Sequence, residues 1–319
     1  MASMDLSAQQ RRAALLLQQR LELTPMETVR LVLSHPHILD YQYNRNLEPA
    51  LDVLQAMLGL SQVELAKVMR ACPQVLPLCQ HEALPDRLLG LRDVLRLDSS
   101  PALGRLVVKF PRLLTLSVDE NVRPTMAALQ SLLRLSDEEA CHLVFRHPQV
   151  LSLRVEDNAV PTLAVLQERL ALDREQLRAL ILRMPTALGL SAEANLRPKL
   201  DFLAESLEMP QAELRDAVLR NPLVLGASLQ KALRPNVAAW SGALPAGISL
   251  QQVVAKSGLR FLTSAYETRT RPRLERVAQE GIDAVDLVSQ MRSTDEKFEE
   301  WIRARAAPSS YLEVLELGS

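Results

Sequence analysis

Four arginines in this sequence, Arg123, Arg197, Arg234 and Arg271, each stand directly before a proline. The last three are spaced by 37 residues, and Arg123 lies 74 residues before Arg197. A guanidinium presents N–H donors in a planar fork that fits phosphate oxygens and the edge of guanine. Recurrence at one position of a repeated unit sets such forks in a row, and a row of cations tracks a polyanion lengthwise. The proline places each arginine in the first turn of a helix. A cation there opposes the helix dipole, so the fold alone gives it no reason to be basic.

A second basic column, Lys109, Arg146, Arg183 and Arg220, stands two residues before another set of prolines. These residues close a helix, where a cation favours the negative end of the dipole, so electrostatics alone also accounts for them. Both columns are neutral or acidic in the early units: Glu48 and Leu84 in the first, Ser34 and Ala71 in the second. Lys199, just after Pro198, extends the candidate set. So does the stretch "LRFLTSAYETRTRPR", which packs Arg260, Arg269, Arg271 and Arg273 with Phe261 and Tyr266.

Other chemistry finds no support. Cys72 and Cys79, or His35 and His37, lack the spacing of a zinc site, so no metal is expected. Cys141 and His142 are helix neighbours that face different ways and make no nucleophile pair. A glycine-rich phosphate loop is lacking, and neither an enzyme nor a cofactor is expected. Three cysteines provide no disulfide framework. No apolar run approaches the length of a membrane span. The net charge of −1 conceals segregation: residues 231–276 hold eight basic and two acidic side chains, whereas 277–319 hold four basic and nine acidic.

The elements that must carry these residues follow from the prolines. A first proline recurs at Pro36, Pro73, Pro111, Pro148, Pro185 and Pro222, and a second from Pro49 through Pro272, both at intervals near 37. A fixed period of this length indicates a solenoid of stacked units. In the unit from Asn195 to Pro222, Asn195 is placed to cap a first helix, with Pro198 in its opening turn. A second helix is predicted from about Gln211 to Arg220, ended by Pro222. Val224 and Leu225 then plug the core in a tight 3₁₀ turn. The expected fold is all-α: a right-stacked helical-repeat solenoid, crescent or superhelical, of about seven such helix-turn-helix units. Residues 1–272 form the array, with a degenerate seventh unit in which Leu259 replaces the first proline, and 273–319 form an acidic helical cap.

The stretches "VFRHPQVLSL", "LILRMPTALGL", "NVRPTMAAL" and "NLRPKLDFL" resemble the mitochondrial transcription termination factor (mTERF) family, over roughly Thr24 to Arg276. The resemblance implies an organellar, all-α solenoid that binds nucleic acid. Some members bind duplex DNA and block transcription; others act on RNA splicing or ribosome assembly. Double-stranded DNA is the expected partner, with RNA the runner-up and a protein-binding scaffold the third reading. The chain is expected to act as a monomer in a mitochondrion, or alternatively a chloroplast, with any transit peptide removed. "TDEKFEEWI" looks like the family's terminal cap, and "EALPD" in the second unit departs from the Asn-x-Arg-Pro pattern.

Overall fold

The structure, a computed structural model, describes residues 7–40, 47–79 and 83–306. Every regular element among them is helical. The chain divides into two compact units, Met1–Val155 and Glu156–Ser319. The first holds α1 (Ala8–Arg20), α2 (Pro25–Ser34), α3 (Glu48–Leu58), α4 (Gln62–Ala71), the one-turn α5 (Leu76–Cys79), α6 (Ala83–Val94), α7 (Ser100–Lys109), α8 (Arg123–Leu133) and α9 (Asp137–Arg146). The second holds α10 (Val160–Leu170), α11 (Arg174–Arg183), α12 (Arg197–Ser206), α13 (Gln211–Arg220), α14 (Arg234–Ala243), α15 (Leu250–Ser257), α16 (Arg271–Gln279), the one-turn α17 (Ala284–Leu287) and α18 (Asp295–Ala306). The repeating helix pairs make the protein a helical-repeat solenoid. Residues 307–319 of the expected acidic cap lie outside the described residues.

The prolines punctuate as expected. Each second helix stops two residues short of its proline, because the residue before proline is driven out of helical geometry. His35, Cys72, Phe110, His147, Met184 and Asn221 accordingly share φ between −133° and −151°. A 3₁₀ turn follows each time, as at Pro185–Gly189 and Pro222–Gly226, and the degenerate unit keeps one at Arg260–Thr263 without its proline.

The start of the first helix differs from expectation. A five-residue π turn precedes it at Val118–Val122, Val155–Ala159, Ala192–Leu196, Leu229–Leu233 and Tyr266–Thr270. The capping oxygen belongs to serine: Ser117, Ser191 and Ser228 accept from backbone N–H groups three residues on. Asn195 is therefore not the cap; its side chain accepts a hydrogen bond from Lys199 Nζ at 2.7 Å.

Leu200 and Leu203 of the first helix, Leu207 just past its end, Leu214 and Val218 of the second, and Val224 and Leu225 of the short turn are all buried. Each such side chain stabilises the stack by ~1.5–3 kcal/mol. The same interior carries a polar column one residue after the second proline: Thr125, Thr162, Lys199, Asn236 and Arg273 are all buried. In the second unit these donate to carbonyls at or just beyond the end of the repeat's short turn. Thr162 Oγ1 donates to the Leu190 carbonyl at 2.8 Å, Lys199 to that of Leu225, and Asn236 Nδ2 to those of Leu262 and Ser264 at 2.9 and 2.8 Å. A 3₁₀ turn leaves its last carbonyls without local donors, and an unpaired buried carbonyl costs about 1–3 kcal/mol, so each repeat supplies its own donor.

Candidate nucleic-acid interface

The two basic columns occupy different electrostatic settings. In the first unit Arg123 lies between Asp93 at 3.6 Å and Asp119 at 3.5 Å. In the second, Arg197 grips Glu168 of the preceding repeat with two bonds of 2.9 and 3.0 Å and also bonds Glu193. Its guanidinium is held more firmly protonated by these hydrogen bonds, and Glu168 is held below the usual carboxylate range by the same contact. Arg271 pairs with Glu267 at 2.8 Å and lies 3.9 Å from Glu275. These arginines join adjacent elements, and their charge is largely balanced. Arg234 differs: it is exposed, lies 4.8 Å over the Phe202 ring, and forms no ion pair among the described residues.

The helix-closing column is exposed and acts on carbonyls. Lys109 Nζ donates to Phe145 O at 3.0 Å in the first unit. Arg183 donates to Leu219 O at 2.5 Å and Arg220 to Ala255 O at 3.1 Å in the second. Each cation thus reaches the negative end of the next repeat's second helix, so the dipole reading accounts for their position. Among the described residues their positive charge meets no carboxylate, and it remains available at the surface. Arg146 is exposed as well.

The feature best suited to an anion lies farther along the second unit. A cleft of about 380 Å³ opens at the edge formed by the short turns, with Asn221, Arg260, Thr263, Ser264, Arg269 and Arg292 among its lining residues. No carboxylate and no aromatic ring is among its lining residues. Arg260 and Arg292 also line an adjoining cleft of about 330 Å³, whose one lining carboxylate, Asp286, pairs with Arg305 at 3.7 Å. Among the described residues neither Arg260 nor Arg292 forms an ion pair, and Arg269 makes one long bond, 3.5 Å, to the Met291 carbonyl. Arg220 directly precedes Asn221 at the rim. Three guanidiniums facing neutral hydroxyl and amide groups form a cation-rich recess, and the nearest carboxylate influence comes from outside its lining: Asp295, held low first by its bond to Arg273, also feels Arg269.

The repeat architecture and this basic edge agree with the comparison to known families: the mTERF family model matches residues 90–262. The chain belongs to the mTERF family. Its members are organellar nucleic-acid-binding helical-repeat proteins, and membership carries that general description to this chain. No curated protein matches it. The matched stretch includes Asn221 and Arg260, whereas Arg269 and Arg292 lie C-terminal to it. No described helix is long and apolar enough to cross a membrane.

Two of the basic residues expected to contact nucleic acid, Lys199 and Arg273, are buried. Lys199 is 1% exposed, and burial pushes its ammonium down to about 8. Arg273 is 3% exposed. It donates to Gln290 O, Ser293 O and Asp295 at 2.5, 2.9 and 2.7 Å, and stacks 4.6 Å from the Phe298 ring. Both sit one residue past the proline, a position that is exposed at Asp86 but buried at Thr125, Thr162 and Asn236 too, and both donate to carbonyls inside the fold. Arg292, which sequence reasoning missed, lies outside the 37-residue register, and only folding brings it beside Arg260.

Proposed function

We propose that this chain binds duplex DNA through its phosphate backbone at the Arg260–Arg269–Arg292 cleft and blocks passage of a transcribing polymerase. The observation that carries the reading is that recess of unpaired guanidiniums, opening on an edge where Arg183 and Arg220 add exposed positive charge. Family membership supplies the nucleic-acid class. The choice of duplex over single strand rests on the lining: single-stranded RNA is gripped by stacking on aromatic faces, and the cleft offers none. Phosphate contact needs only forks and hydroxyls, which Arg260, Arg269, Arg292, Thr263 and Ser264 supply.

Fluorescence anisotropy with a matched duplex and the same sequence as single-stranded RNA, titrated with salt, tests this reading. The duplex should bind tighter, with a slope of log K against log salt of at least about −3 for three or more neutralised phosphates. Tighter RNA binding, or an affinity insensitive to salt, would overturn it.

A further inference from the structure

We infer that the outer face of α2 is a docking surface for an acidic amphipathic helix of a protein partner. Within the first unit the second helix of each repeat packs on the first helix of the repeat before it. Arg20 at the end of α1 donates to Gln62 on α4 at 2.5 Å. Gly104 on α7 approaches α3 so closely that an added Cβ would run into the Leu58 carbonyl. Arg96, just past α6, pairs with Asp137 on α9. One position of the second helix turns toward that neighbour in each case: Ala66, Gly104 and Cys141, all buried. The residue at this position on α2 is Val29, and it is 50% exposed. Leu33, whose equivalents are half-buried at Val108 and Phe145 and exposed at Arg70, is 61% exposed; Met26 is 62% exposed, at a position that is exposed at Val63, Pro101 and Glu138 as well. Val29, the α2 residue at the stacking position, therefore has no repeat on it among the described residues.

The chemistry of a neighbour that suits this face can be read from it. Met26, Val29 and Leu33 stand at i, i+3 and i+7, the narrow seam that pairs with one other helix. A helix lying on a membrane needs a broader apolar side than this. Arg30 flanks the seam, exposed and without an ion pair among the described residues. Arg11 and Arg12 on α1 are exposed too. The carboxylate on α2, Glu27, is engaged by Arg70 at 2.6 Å and by the capping Thr24. The face thus offers apolar contact and, at Arg30, unpaired positive charge, which suits an acidic amphipathic helix. A second copy fits poorly: a two-fold contact through Val29 would oppose Arg30 to its own symmetry mate. Three side chains also fall far short of the roughly 1,200 Å² that a stable dimer buries.

The test uses the full chain and two synthetic helical peptides with the same leucine seam, one flanked by Glu and one by Lys. The Glu peptide should bind with a Kd on the order of tens of micromolar and shift the methyl signals of Met26, Val29 and Leu33. The Lys peptide, or the Val29→Glu protein, should bind at least about tenfold more weakly, a loss of about 1.4 kcal/mol. These positions are exposed, so an unchanged thermal melt will show that Val29→Glu still folds. Equal binding of both peptides, or binding untouched by Val29→Glu, would overturn the inference. A dimer in sedimentation that Val29→Glu dissolves would assign the face to a second copy. Binding that appears only after deletion of residues 1–6 would assign it to the chain's own N-terminus. Either result would overturn the inference as well.

Discussion

Arg197 and Arg260 belong to the same compact unit, and both bring a guanidinium to the protein surface. Arg197 arrives at a repeat position whose neighbours are Glu168 and Glu193, and both carboxylates take its donors. Arg260 arrives at a turn edge beside Arg269 and Arg292, with Thr263 and Ser264 as neutral company. Periodicity alone therefore does not make a binding row, because a cation that recurs with a carboxylate recurs as a structural pair. What separates the two regions is the partner that each arginine finds after folding. An exposed pair contributes little to stability and still cancels charge that a phosphate would otherwise meet.

The largest expected effect lies at the cleft. Replacing Arg260, Arg269 and Arg292 together with Ala should weaken duplex binding on the order of a hundredfold at low salt and reduce the salt slope by about 2 to 3. The thermal melt should change little. Replacing the column set Arg123, Arg197 and Arg271 should cost far less affinity, and equal losses from the two variants would erase the contrast between the regions.

Lys199 sharpens the comparison from inside the stack, two residues from Arg197. Lys199→Ala removes the donor to the Leu225 carbonyl and opens a cavity. It should destabilise the fold by about 2–4 kcal/mol in chemical denaturation. Once corrected for the folded fraction, DNA affinity should stay near the wild-type value; a specific loss of affinity in the folded protein would return Lys199 to the interface.

The same residue sets a pH dependence. Burial lowers its ammonium to about 8, from an ordinary value of 10.5. Between these values the unfolded chain binds more protons than the folded one, so stability should rise as pH increases from about 8 to about 10.5. Denaturation midpoints compared with those of Lys199→Met, which lacks the ammonium, should show the rise in the wild type alone.

The smallest effect tests the neutralisation argument directly. Glu168→Gln with Glu193→Gln frees the Arg197 fork, and duplex affinity should increase about two- to threefold at low salt. An unchanged affinity would mean that Arg197 faces away from the bound duplex.

Much of the fold was legible in the proline register. Proline acts through local sterics, so a period of 37 residues fixes where helices start and stop, and the second helix at Gln211–Arg220 lies where that register puts it. The π turns were not legible, since their five residues carry no distinctive signal; Ser117, Ser191 and Ser228 cap three of them, one turn earlier than the asparagine suggests, while the turn at Tyr266–Thr270 forms behind Ala265 with no side-chain cap. The inward direction of Lys199 and Arg273 was hidden for a different reason. A basic residue in sequence reads as exposed, whereas these two serve carbonyls left over by turns some 17 to 26 residues farther on. One signal pointed inward in advance: Thr125, Thr162 and Asn236 share their position, and a column mixing Thr, Asn, Lys and Arg shares donor ability without a shared charge. At the cleft, Arg260 and Arg269 stood out in a basic stretch, but Arg292 belongs to a segment rich in carboxylates and joins them only in three dimensions.

In the proposed function the arginines of the cleft, and not those of the proline-flanking column, meet the phosphates. Arginine Nε–Hε signals followed by NMR during titration with duplex DNA test it most directly, because each guanidinium reports its own contact. The signals of Arg260, Arg269 and Arg292 should shift in proportion to duplex bound and return when salt is added, while those of Arg197 and Arg271 stay within their ion pairs. Shifts at Arg197 and Arg271 with a silent cleft would contradict the account and make the periodic column the binding surface.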